Sequence, residues 1–226
     1  MIDREFIRSG GLSEALAGAA SHGLLRLTTP AERLRSRAEI LAARACPDTD
    51  VWVFAYGSLM WNPTIHYTEQ RAAKVYGYHR RFCLNVPVGR GTREQPGLLL
   101  GLDRGGACRG IVFRIAAAEV ERELDILWAR ELVADGYRPV WVRARAESAL
   151  QRAITFVIDR SLPTYAGRLP LEDTAQRIAS AAGALGSCAD YLEETVAHLH
   201  QSGIHDPAMR AILQRVRELH GALSDT

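Results

Sequence analysis

The sequence predicts an α+β fold, and three observations carry that prediction. Short apolar runs rich in β-formers crowd the middle of the chain, helical patterning fills its last third, and one amphipathic helix interrupts the strands. Grouping of this kind favours α+β over an alternating βαβ order, which would demand a helix after nearly every strand.

The bulk composition agrees with a folded chain. With 226 residues, 47% apolar and 24% charged, the protein can bury a substantial core in one domain with an appended helical segment. A formal net charge of +2, with arginines spread along the chain, gives no electrostatic footprint for nucleic acid. Cys46, Cys83, Cys108 and Cys188 form no close pair, so neither a metal site nor a disulfide framework is expected, and reduced thiols are. Asp3, Arg4, Glu5 and Arg8 interrupt the first ten residues and no apolar segment follows, so a secretory signal is not expected. No uncharged apolar run approaches the roughly 18 residues a membrane span needs. The expected address is the cytoplasm, with no membrane or nucleic-acid partner; monomer is the default state.

Residues 1–49 read as a helical extension. Ser13 opens one helix that Gly23 stops, and Thr29-Pro30 caps and starts a second. The second domain, 50–221, opens with Val51 to Tyr56, a buried strand halted by Gly57-Ser58. Further strands are expected at Ala73 to Tyr78, Phe82 to Val86, Gly97 to Leu102, Gly110 to Ile115, Tyr137 to Ala144 and Ala153 to Ile158. Residues 88–96 are expected to form a surface loop, and Asp103-Arg104-Gly105-Gly106 a hairpin turn. Helices are expected at Asp173 to Ala182, Cys188 to Ser202 and Asp206 to Leu219.

The helix from Ala117 to about Leu132 carries the most informative side chain. Val120, Leu124 and Leu127 define a buried stripe, widened by Trp128. Eleven residues at 3.6 per turn return to within about 20°, so the line leads on to Glu131, whereas Glu119, Glu121, Glu123 and Asp125 continue it less closely. A carboxylate on an apolar stripe near a helix C-terminus meets both a low dielectric and an unfavourable dipole, and both raise its pKa. A costly placement of this kind points to function. The structural alternative is an ion pair at the rim of the core, with Arg80, Arg81 or Arg130.

The Tyr56-Gly57-Ser58-Leu59 turn is the second candidate. A strand ending in Gly-Ser can aim successive N–H groups at a carboxylate or oxyanion, and glycine lets a ligand approach closely. An ordinary strand-ending turn is the alternative. Ser58 lacks the G-x-S-x-G context of a nucleophile, Gly89-x-Gly91 lacks the third glycine of a dinucleotide fingerprint, and His198 and His200 are poorly spaced for a metal.

Taken in order, several segments resemble the ChaC-type, glutathione-specific γ-glutamylcyclotransferases. They are Trp52 to Pro63 (WVFAYGSLMWNP), Gly77 to Cys83 (GYHRRFC), Arg90-Gly91-Thr92, Pro96-Gly97, Leu127 to Glu131 (LWARE) with Gly136-Tyr137, and Tyr165-Ala166-Gly167; Tyr191-Leu192 and Gly203-Ile204-x-Asp206-Pro207 follow. The resemblance implies a γ-glutamylcyclotransferase-like mixed sheet or small barrel flanked by helices. It implies an enzyme that cleaves glutathione to 5-oxoproline and Cys-Gly without a cofactor or metal. Glu131 would be the acid/base residue, and Ala55, Tyr56, Gly57, Ser58, Leu59, Met60 and Tyr165 would bind the γ-glutamyl group. Cys188 stands where the family commonly has Asn, which leaves a polar contact there open. The alternatives are a cyclotransferase for γ-glutamyl amino acids or amines, and a non-catalytic regulatory binding protein linked to cation transport.

Overall fold

The computed structural model describes residues 2–44, 46–147 and 149–224. They form two compact units, Met1–Arg80 with Leu102–Asp159 and Arg81–Gly101 with Arg160–Thr226.

The strands are β1 (Val51–Ala55), β2 (Glu69–Val86), β3 (Gly97–Ile115), β4 (Tyr137–Arg145) and β5 (Leu150–Ile158), closed into a barrel in the order β1-β3-β2-β4-β5. β1 sits antiparallel to β3 and parallel to β5, so both of its edges are paired. All of its residues but Trp52 are buried, so both faces are enclosed, and a strand so placed has no polar side to show in its sequence. Gly110 of β3 lies so close to β1 that a Cβ there would fall 2.1 Å from the Ala55 carbonyl oxygen.

The helices of the first unit are α1 (Arg4–Arg8), α2 (Gly11–Ser21), α3 (Pro30–Ala42) and α4 (Val120–Glu131). α3 opens with a capping box between Thr29 and Glu32, with Pro30 in its first turn. The α4 stripe is buried as its spacing requires: Val120, Leu124, Leu127 and Trp128 are all 1% exposed or less. Removing each such leucine from water is worth about 2 kcal/mol. Trp128 meets Phe156 edge-on, with centroids 5.1 Å apart, and donates its indole N–H to Ser36 of α3 at 3.1 Å. Residues 26–28 lie along the chain just beyond α4. Leu27 bridges Ala134, the Thr28 amide donates to the Val133 carbonyl at 3.0 Å, and Arg26 grips the Asp135 carboxylate at 2.6 and 2.7 Å.

The second unit holds α5 (Leu171–Ser180), α6 (Cys188–Gln201) and α7 (Pro207–Ser224), packed on one another, with the small hairpin β6 (Ala182–Gly183) and β7 (Gly186–Ser187). Phe82 and Tyr191 meet edge to face at 6.1 Å in its core.

Three expectations need correction. The hairpin turn at Asp103 to Gly106 does not exist: β3 runs through it, and Asp103 is fully buried. Gly105 and Gly106 take positive φ, +100° and +69°, which serves a bulge in a continuing strand as well as a turn. The two strands expected at 73–78 and 82–86 are one, β2. Its buried positions change parity along its length, from Ala73 and Val75 to Arg80, Phe82 and Leu84, on either side of Gly77 at φ +86°. The loop at 88–96 is exposed from Thr92 to Gln95, but Gly89 and Gly91 are buried. The Leu185 amide donates to the Gly89 carbonyl at 2.7 Å, and a Cβ on Gly183 would fall 2.4 Å from the same oxygen. Among the described residues no helix is long and apolar enough to cross a membrane.

Candidate functional site

β1 delivers the site. Its last residue, Ala55, is fully enclosed, and Thr155 of β5 fixes the preceding carbonyl, its hydroxyl donating to Phe54 at 2.9 Å. Beyond Tyr56 and Gly57 the chain winds into a 3₁₀ turn, Ser58–Met60. Inside that turn the Met60 amide returns to the Gly57 carbonyl at 2.8 Å and the Asn62 amide to the Ser58 carbonyl at 2.9 Å. The donors that open such a turn, the N–H groups of Ser58 and Leu59, have no partner within it. Tyr56, Leu59 and Met60 are buried, and Ser58 is half-buried.

Two arginines hold the turn. Arg80 of β2, 5% exposed, donates to the Tyr56 carbonyl at 2.5 Å and the Arg109 carbonyl at 2.7 Å, and reaches Met60 Sδ at 3.8 Å. Arg130 of α4 donates to Ser58 Oγ at 2.9 Å and to the carbonyl of Asn62. Its Nε lies 3.1 Å from Glu131 Oε1. Arg130 thus joins the predicted carboxylate to the predicted turn.

Glu131 keeps 16% of its side chain exposed, a small opening in an otherwise enclosed group. Burial pushes its pKa above the ordinary carboxylate value, and the charge and hydrogen bond of Arg130 oppose the rise without cancelling it. A carboxylate so placed holds its proton to higher pH and is a stronger base when ionised. Depressions of about 290 Å³, among α1, α2, α3 and α4, and of about 260 Å³, between α1 and α4 beside His66, are lined by neither the turn nor Glu131.

Tyr165 belongs to the second unit. It bridges Leu84, and the Arg160 guanidinium lies over its ring at 5.6 Å. Cys188, in the same unit, is fully buried with its thiol 3.1 Å from the Arg90 carbonyl and 3.5 Å from that of Leu98. Burial raises the thiol's pKa, so it stays protonated and serves as a donor. A polar contact does exist at that position, made by sulfur. None of the four cysteines is paired in a disulfide. Among the described residues no cluster of His, Cys, Asp or Glu could hold a metal ion.

Sequence reasoning missed the work of Arg80 and Arg130, naming both only as possible partners of Glu131. Arg80 shares strand parity with Phe82 and Leu84, so an arginine on the inward face was the available signal. Thr155 offered none.

Comparison with known proteins follows the same lines. The ChaC-like protein family matches residues 51–219. A protein of Escherichia coli (strain K12) named glutathione-specific γ-glutamylcyclotransferase is 37% identical over 221 residues, 97% of this chain and 94% of that one. The mouse protein named glutathione-specific γ-glutamylcyclotransferase 1 is 30% identical over 176 residues, 75% of this chain and 79% of its own length. A crystal structure of a γ-glutamyl cyclotransferase specific to glutathione from yeast superposes with a TM-score of 0.68 at 22% identity, covering 75% of this chain and 96% of that one. The last of these bears on the fold alone.

Proposed function

The chain belongs to the ChaC-like protein family, and from that premise we propose that it is a glutathione-specific γ-glutamylcyclotransferase. It releases 5-oxoproline and Cys-Gly from glutathione. The observation that carries the chemistry is a buried carboxylate of raised pKa, Glu131, joined through Arg130 to the hydroxyl of Ser58.

The substrate supplies its own nucleophile. Its α-amine is protonated near neutral pH and cannot attack until a base takes the proton; Glu131, ionised, accepts it. The freed amine adds to the γ-carbonyl, closing a five-membered ring and placing negative charge on the carbonyl oxygen. Collapse breaks the bond to the cysteinyl nitrogen as Glu131 returns its proton there, and the ring nitrogen sheds its second proton, which the amine of Cys-Gly takes up to leave as an ammonium. Atoms and charge balance without a cofactor. The opening N–H groups of the 57–59 turn receive the glutamyl carboxylate or the oxyanion, and one such donor is typically worth about 3 kcal/mol. Folding the glutamyl chain in the bound state makes the attack intramolecular, which removes much of the entropic barrier.

Four cysteines outside any disulfide, with Cys46 on the surface, suit a reducing compartment, and we propose the cytoplasm as the enzyme's address and a monomer as its state. Incubation of purified protein with glutathione and, separately, with γ-glutamyl-alanine tests the reading by assay of 5-oxoproline. Release from glutathione alone supports it. Equal release from both moves the assignment to a broader γ-glutamyl cyclotransferase, and release from neither overturns catalysis. Gly57→Val is expected to raise KM by putting a branched side chain at the point of closest approach; an unchanged KM would remove the turn from the binding site.

A further inference from the structure

The segment between the 3₁₀ turn and β2 is held from two sides. On one side stands α4, whose Arg130 bonds to the Asn62 carbonyl and lies 3.3 Å from Thr64 Oγ1. Glu123, also on α4, accepts the amide of His66 at 2.8 Å. On the other side stands the N-terminal segment. Arg4 donates to the Thr64 carbonyl at 3.0 Å and forks onto Glu123 at 2.5 and 2.8 Å, while the Asn62 side-chain amide donates to the Ile2 carbonyl at 2.7 Å. Thr64 itself sits at φ +57°, a left-handed conformation that a β-branched residue adopts only where its surroundings enforce it. The anchors on its carbonyl and hydroxyl are that enforcement.

We infer that Arg4 is a positioning residue for the active site, acting through residues 62–66 and Arg130 on Glu131 and Ser58. The chain of contacts is continuous. Arg4 fixes the Thr64 carbonyl; Thr64 and Asn62 fix the Arg130 guanidinium; Arg130 fixes Glu131 Oε1 on one nitrogen and Ser58 Oγ on another. Without Arg4 the 62–66 segment relaxes from its left-handed kink, and Arg130 loses the anchors that aim its other two contacts. Errors of about an ångström in such an alignment cost up to about a hundredfold in rate. The inference rests on the reading of Glu131 as the acid/base residue.

A double-mutant cycle on kcat tests it, with Arg4→Ala, Arg130→Ala and the pair assayed on glutathione in the full chain. Arg4→Ala is expected to lower kcat on the order of tenfold with little change in KM, as misalignment rather than lost binding does. Arg4→Lys restores part of the loss. In the Arg130→Ala background the Arg4 substitution has no further effect, because the route to Glu131 is already cut. Arg37→Ala is the control: Arg37 tethers α3 to α4 through Asp125 at 2.5 Å and Glu121 at 3.4 Å without touching residues 62–66, and it leaves kcat at the parental value. Additive losses in the double variant, an unchanged kcat in Arg4→Ala, or an equal loss in Arg37→Ala would each overturn the inference. If Arg4→Ala fails to fold, Arg4→Lys enters the cycle in its place, read by the same criteria. The two claims fail differently. A Glu131→Gln variant that keeps turnover removes the underlying reading, whereas an inactive Glu131→Gln with an additive cycle removes only the role of Arg4.

Discussion

Glu123 and Glu131 stand about two turns apart on one helix, both withdrawn from water, yet their proton affinities move in opposite directions. Glu123, with no exposed side-chain surface, is the more acidic. Burial alone would raise its pKa, but the hydrogen bond from Arg4, the His66 amide and the charges of Arg4 and His66 together outweigh burial. Glu131 has only Arg130 against its burial, and burial prevails. Position along α4 works the same way, since a helix N-terminus favours a carboxylate and a C-terminus disfavours it. The pair teaches that the balance of donors against desolvation decides whether an enclosed carboxylate is held ionised or keeps its proton to higher pH.

The largest effect expected from breaking this contrast is on catalysis. Glu131→Gln is expected to lower kcat by about a thousandfold, the usual range for loss of a general base, with the fold intact by circular dichroism. Parental turnover would reduce Glu131 to an ordinary buried acid. Glu123→Gln strikes the anchor instead. It leaves the Arg4 guanidinium without its counter-charge in a partly buried site and is expected to cost about 3 kcal/mol of stability in denaturant unfolding. A loss below about 0.5 kcal/mol, the range of ordinary surface substitutions, would contradict the role given to that pair.

A subtler test compares the two through pH. Because folding raises the pKa of Glu131, its contribution to stability is complete below the ordinary value of 4.5 and is lost as pH rises through the folded-state value. Glu123 has the reverse sign: its contribution is present above 4.5 and disappears as pH falls through its depressed value. Glu131→Gln is therefore expected to match or exceed the parent in thermal stability near neutral pH, and that advantage vanishes in acid. A melting temperature well below the parent's near neutrality would show that Arg130 offsets burial after all. The smallest effect belongs to Arg122→Ala. Arg122 is 61% exposed and lies 3.3 Å from Glu123, so its removal should cost under about 1 kcal/mol. A larger loss would mean that the anchoring had been credited to the wrong arginine.

Glu131 was legible because its signal is local: the period of one helix carries the apolar line directly to it. Glu123 was not, since its partner Arg4 lies 119 residues away and no periodicity reports so distant a pairing. The barrel strands were readable from their apolar runs, but their continuity was not. Gly77, Gly105 and Gly106 read as ends of strands, whereas positive φ there lets β2 and β3 continue. The Gly57-Ser58 turn was visible as a break in a buried run. What secures it, Arg80 and Arg130, depends on a strand parity that changes around Gly77 and on a helix end meeting a turn seventy-two residues earlier.

The lacing of residues 26–28 to residues 132–135 bears on where the working molecule begins. It fixes the handover from α4 to β4, the few residues that follow Glu131 directly. Cutting the chain back to residue 51, where the family match starts, would unpick that seam together with the Arg4 fork at the far end of the same helix. The segment that lies outside the family match is thus a splint on both ends of the helix bearing Glu131, and its removal is expected to lower the melting temperature of what remains.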